Sequence, residues 1–125
     1  MSVEVGKHLI LEVFTRDSSV LINADSCQIV MRNVLNSHNV TIITDFWHSF
    51  GDRCGYTGVI ILAESHFSIH TWPEKNYASI DLFLCGDDFD EERITEIAVD
   101  IEKYFNPFNA GFKIIKRPDL TLITE

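Results

Sequence analysis

An α+β fold, a two-layer α/β sandwich in which a mainly antiparallel sheet carries two helices on one face, is predicted from three observations. Strand patterns outnumber helical ones, four of them follow one another without a helix between, and each of the two helical segments has one apolar stripe to bury. At 125 residues, 46% of them hydrophobic and 23% charged, the chain matches a single domain, 1–125, with enough apolar side chains for a core.

Gly6 to Phe14 reads as the first strand. In residues 24–37, Cys27, Val30, Met31, Val34 and Leu35 recur at i, i+3, i+4, i+7 and i+8, which lines one helical face, and Asp25 is a candidate cap. Val40 to Phe46 is β-branched and apolar, hence a strand. Gly51-Asp52-Arg53-Cys54-Gly55 is a turn cluster. Strands follow at Tyr56–Ala63 and Phe67–Thr71, and Pro73 stops ladder pairing. Tyr77 to Cys85 alternates with period two. Glu91 to Tyr104 carries a helical stripe of Ile94, Ile97, Ala98, Ile101 and Tyr104, with Asp90 as N-cap and Glu91 and Glu92 at the positive end of the dipole. Asn106-Pro107 ends it, and Phe112 to Ile115 is a last short strand. The order is β-α-β-β-β-β-α-β. One layer of helices leaves the other sheet face bare, so a homodimer is expected.

A formal net charge of −9 argues against a nucleic-acid partner, whose phosphates need a basic surface, and against anionic membranes. No run approaches the ~18 apolar residues of a membrane span, and Met1 to Lys7 lacks the basic and apolar regions of a secretory signal. The expected compartment is the cytoplasm. The three cysteines, Cys27, Cys54 and Cys85, are odd in number and none are in C-x-x-C spacing, which disfavours a disulfide framework or a structural zinc. Cys27 falls on the helical stripe and reads as core.

The residues that carry chemistry crowd into Leu62–Glu74, where two carboxylates, hydroxyls, two imidazoles and an indole share a segment with strand character. The Gly-rich phosphate loops, the G-x-S-x-G elbow and H-E-x-x-H are all missing. His66 and His70 have the i, i+4 spacing that suits a metal on a helix. On a strand they are too far apart for easy chelation, so no metal is expected. Ser65 near His70 suggests a nucleophile, yet no Asp is placed by sequence to orient the imidazole. On residue types alone, a strand end with a satisfied His remains open beside a catalytic reading.

The order of residues goes further. Glu64-Ser65-His66-x-Ser68-Ile69-His70-Thr71-Trp72-Pro73-Glu74, followed by Asp81-x-Phe83-x-Cys85-Gly86, closely resembles the small prokaryotic S-adenosylmethionine decarboxylases, and the match extends upstream through Gly6-Lys7-His8-Leu9 and His48-Ser49-Phe50. The resemblance implies a proenzyme. Ser65 would attack the Glu64 carbonyl and convert the amide to an ester, and a base matching His70 would remove the α-proton of residue 65. Elimination would then release 1–64 as a β subunit and leave a pyruvoyl group, made from Ser65, at the head of an α subunit 65–125. The pyruvoyl group would take up electrons when the substrate loses CO₂. By the same resemblance Cys85 is the acid that protonates the product carbon, and Phe50 and His70 flank adenine. Trp72 lines the pocket and Glu74 accepts from ribose hydroxyls.

Two departures stand out. Tyr56-Thr57-Gly58 replaces the family's Val-Ser-Gly, so Thr57 keeps the processing hydroxyl but adds a methyl, and the 50–55 loop is one residue longer and lacks a Pro. The resemblance therefore implies decarboxylation of S-adenosylmethionine for polyamine (spermidine) synthesis by a homodimer of αβ units. The altered loop keeps open the same machinery acting on a basic amino acid, ornithine or arginine, with Asp52 pairing the distal charge. An unprocessed, non-catalytic binding relative is the third reading.

Overall fold

The computed structural model describes residues 3–123. Met1 and Ser2, part of the stretch read above for a targeting signal, lie outside them, as do the last two positions. Six strands form one sheet: β1 (Gly6–Phe14), β2 (Ile42–Ser49), β3 (Tyr56–Leu62), β4 (Ser65–Trp72), β5 (Tyr77–Cys85) and β6 (Asn109–Arg117). Their order across the sheet is β2-β3-β4-β5-β1-β6, and every neighbouring pair is antiparallel. Helices α1 (Ser19–Ile22), α2 (Ala24–Ser37) and α3 (Glu91–Phe105) complete the main elements. The predicted sandwich is what forms, with one addition: α1, a single turn too short to show a helical period, makes a third helix.

Strand alternation divides the side chains cleanly. Leu9, Leu11 and Val13 of β1, Ile60 and Leu62 of β3, Phe67 and Ile69 of β4, and Ile80, Leu82 and Leu84 of β5 are buried together with Cys27, Met31 and Leu35 of α2 and Ile94, Ile97, Ala98, Ile101 and Phe105 of α3. The α3 stripe ends on Phe105 rather than Tyr104, which is only partly buried. Asp90 caps α3 as expected, accepting from the Arg93 amide at 2.9 Å. At α2 the cap is Asn23, accepting from the Ser26 amide at 3.0 Å, so Asp25 is the second residue of the first turn, two positions past the cap.

The second sheet face has no helix over it. In register across it lie Phe46, Val59, Ser68, Asp81 and Ile10. Phe46, Val59 and neighbouring Ile61 are 73%, 37% and 48% exposed, an apolar row on an open surface.

Candidate active site

The functional side chains predicted from sequence gather at the two ends of β4. At one end β3 and β4 are joined by the two-residue turn Ala63–Glu64, and Ser65 opens β4. Ser65 has φ +142°, a conformation that glycine tolerates and a residue with a Cβ avoids at a cost of about 1–3 kcal/mol. The Cys85 amide donates to the Glu64 carbonyl oxygen at 2.8 Å, so a backbone N–H already polarises the carbonyl that Ser65 would attack. The Ser65 hydroxyl lies 3.2 Å from His66 Nδ1. The Glu64 side chain accepts from the Thr41 amide through Oε1 at 3.2 Å, while its buried Oε2 has no partner. A cavity of about 510 Å³ at this end is lined by Glu64, Cys85, Gly86 and Arg93 among others. The Arg93 guanidinium is engaged by the carbonyls of Asp88 and His38.

At the other end of β4 lies a cleft of about 520 Å³, lined by Phe50, Arg53, Cys54, Gly55, Thr57, His70, Thr71, Trp72, Pro73 and Glu74. Thr57 and His70 are direct cross-strand partners, which puts the Thr57 hydroxyl 3.0 Å from His70 Nδ1. Trp72 stacks on Tyr77 with centroids 5.4 Å apart and sits 6.1 Å from the His70 ring. Phe50 is 63% exposed and meets His48 edge-on at 4.7 Å. Neither Phe50 nor Trp72 is a core residue; both present aromatic surface to the cleft, which suits a flat base. Glu74 lies in the short 3₁₀ turn Pro73–Lys75.

The two ends do not meet within one chain. Ser65 and His70 are five residues apart on an extended strand, about 16 Å at ~3.3 Å per residue, and Cys85 stays with Ser65. Thus Ser65, Glu64 and Cys85 come together, and Thr57, His70, Phe50, Trp72 and Glu74 come together, as two separate groups.

Sequence reading passed over what braces the cleft. Thr71 is buried; its hydroxyl donates to the Leu21 carbonyl at 2.7 Å and accepts from the Tyr56 amide at 2.9 Å. Tyr56 in turn donates to the Val20 carbonyl at 2.8 Å. The available signal was a Thr following Phe67 and Ile69 on the buried face of β4. Gly55 is required by close approach, since a Cβ there would sit well inside contact with the Thr71 carbonyl oxygen. Burial, opposed by a hydrogen bond with Tyr56, pushes the Cys27 thiol up to about 12, which fits its place in the core.

A family model described as S-adenosylmethionine decarboxylase matches residues 7–118. The chain belongs to that family. Among S-adenosylmethionine decarboxylase proenzymes, that of Methanococcus maripaludis is 37% identical over 114 residues, covering 91% of this chain and 90% of that protein. The Methanococcus aeolicus proenzyme is 43% identical over 88 residues, 70% of this chain and 74% of the relative. The match to the Thermosipho africanus proenzyme, 40% identical over 86 residues, takes in 69% of this chain but only 65% of the relative's length. The crystal structure of the adenosylmethionine decarboxylase from Aquifex aeolicus vf5 superposes with a TM-score of 0.81 at 27% identity, covering 99% of this chain and 96% of that one. That superposition therefore spans the sheet of this chain. Among the described residues no helix is long and apolar enough to cross a membrane.

Proposed function

We propose that this chain is the proenzyme of a cytoplasmic, pyruvoyl-dependent S-adenosylmethionine decarboxylase serving polyamine synthesis. It cuts itself at Glu64–Ser65 into 1–64 and 65–125, and it works as a homodimer. The observation that carries the reading is the Ser65 junction: a hydroxyl residue with strained φ, directly after a carbonyl that the Cys85 amide already holds at 2.8 Å. That junction fits a pyruvoyl group at the head of β4, because the residue that would become it adjoins Cys85. When formed, the group supplies an electron sink for loss of CO₂.

The chain's own residues do the rest. The Cys85 N–H stabilises negative charge on the Glu64 oxygen during amide-to-ester conversion. The Cys85 thiol, at the same strand end, delivers a proton to the product carbon. Phe50, His70 and Trp72 provide aromatic faces for adenine and for the sulfonium charge, and Glu74 accepts from the ribose. His70, oriented by Thr57, takes the α-proton of residue 65.

Because His70 stands about 16 Å from Ser65 in its own chain, a second copy brings it there. A two-fold axis perpendicular to β4 sets the Ser65 end of one copy against the His70 end of the other and covers Phe46, Val59 and Ile61 on both. The basic amino-acid reading has less support: Arg53, not Asp52, lines the cleft, leaving Glu74 as its sole carboxylate.

Denaturing mass spectrometry, with CO₂ release from labelled substrates, tests the proposal. Fragments 1–64 and 65–125 and release from S-adenosylmethionine are expected. A single full-length species after long incubation would refute processing, and release from ornithine or arginine alone would refute the substrate.

A further inference from the structure

We propose that His66 is the base that takes the Ser65 hydroxyl proton in the first step of self-cleavage, distinct from the His70 that acts later on carbon; this rests on the processing reading above. Among the described residues, His66 is the one side chain hydrogen-bonded to Ser65 Oγ, at 3.2 Å from Nδ1. The other imidazoles on the sheet lie elsewhere: His70 is held by Thr57 at the far end of β4, His48 pairs with Thr57 in register at that same end, and His8 lies between Asp81 at 3.0 Å and Arg117 at 3.2 Å. The His66 ring is oriented by Phe83, its direct cross-strand partner on β5, which meets it edge-on at 6.1 Å and an interplanar angle of 82°. Phe83 is itself fixed by stacking against His8 at 5.9 Å. With its proton on Nε2, the imidazole presents Nδ1 as an acceptor to the hydroxyl.

The step balances without another reactant. As the bond from Ser65 Oγ to the Glu64 carbonyl carbon forms, the hydroxyl proton passes to His66 Nδ1, and negative charge on the Glu64 oxygen is met by the Cys85 N–H. As the C–N bond between Glu64 and Ser65 breaks, the proton returns to the Ser65 nitrogen. The net change is amide to ester. Two imidazoles thus divide the processing: His66 serves the oxygen, and His70 of a second copy serves the α-carbon.

The test follows precursor made by cell-free translation, using denaturing mass spectrometry over time. His66 is exposed in the single chain but lies on the face the dimer covers, so native mass spectrometry first shows that His66→Ala and His66→Gln still pair, and their thermal unfolding is compared with the uncut wild-type dimer. Both are expected to slow cleavage by roughly 100-fold or more. Imidazole added to His66→Ala is expected to restore cleavage in part. The uncut His66→Ala chain is expected to resist hydroxylamine, which splits an ester at residues 64–65 but not an amide. Three results would overturn the proposal: cleavage of His66→Ala at the wild-type rate, no rescue by imidazole, or a full-length His66→Ala chain that hydroxylamine splits, since that places the block after ester formation. Wild-type precursor that never cuts would instead overturn the processing reading itself.

Discussion

Two copies of the chain, each disabled at a different end of β4, should repair one another. Ser65→Ala removes the proposed nucleophile but leaves the Thr57–His70 pair intact; His70→Ala does the reverse. Within a chain the two positions are about 16 Å apart along the strand, whereas proton transfer from carbon needs direct contact at roughly 3 Å. No side-chain rearrangement closes that gap, so each variant alone should stay uncut or, for His70→Ala, stop as an ester. Co-expressed in equal amounts, random pairing places about half of the His70→Ala chains opposite a Ser65→Ala chain in a two-fold dimer. Those His70→Ala chains should be cut, and the Ser65→Ala chains should not. Mass spectrometry with an affinity tag on one variant reads the fraction directly, with a plateau near half. Cleavage of His70→Ala alone at the wild-type rate, or no cleavage in the mixture despite hybrid dimers by native mass spectrometry, would refute the argument from strand geometry.

The remaining expectations concern the frame around the site. Iodoacetamide should label exposed Cys54 first and half-exposed Cys85 next, leaving buried Cys27 untouched until the chain unfolds, as peptide mapping would show. At Asp45, burial raises the pKa, but hydrogen bonds from Gln28, Trp47 and Arg32 and the Arg32 charge outweigh it and hold the carboxyl below its ordinary value. A depressed folded pKa gives stability that is fully present above the unfolded value of about 3.9 and lost as pH falls through the folded one. Asp45→Asn should therefore cost about 1–2 kcal/mol near neutrality and lose less on acidification than wild type, by urea midpoints at several pH values. Gly55→Ala forces a Cβ against the Thr71 carbonyl and should cost about 1–3 kcal/mol and weaken binding in the cleft; Gly86→Ala meets no atom within 4 Å but must hold φ +102°, so it should cost about 1–3 kcal/mol through backbone strain without touching the cleft.

Most of the sheet was legible because alternation with period two survives in β1, β4 and β5, and both long helices carried a continuous stripe. The short helix α1 was not, since four residues cannot display a period. The α2 cap was misplaced by two positions: Asn23 and Asp25 are both competent caps, and only the entry angle of the chain selects between them. The division of the site was the larger omission. Ser65 and His70 are close in sequence, and nearness in sequence suggests a shared pocket. On an extended strand the same five residues keep them apart, while Thr57, thirteen positions before His70, becomes its neighbour through register. His66 was weighed only for a metal with His70; an i, i+1 pair ordinarily points to opposite faces, and the φ of +142° at Ser65 accompanies its contact with Ser65.

The strand order has a consequence for the cut protein. Cleavage after Glu64 would put β1, β2 and β3 in one piece and β4, β5 and β6 in the other, yet β1 lies between β5 and β6 and pairs with both along its full length. The pieces would be interleaved like fingers of two hands. Neither can leave without stripping the central ladder and opening the core, so the nicked protein should travel as one particle and separate only on unfolding. Its melting would then depend on concentration, because refolding must first reunite two chains. Self-cleavage can expose a new chain end inside a finished sheet because the sheet holds the severed halves together.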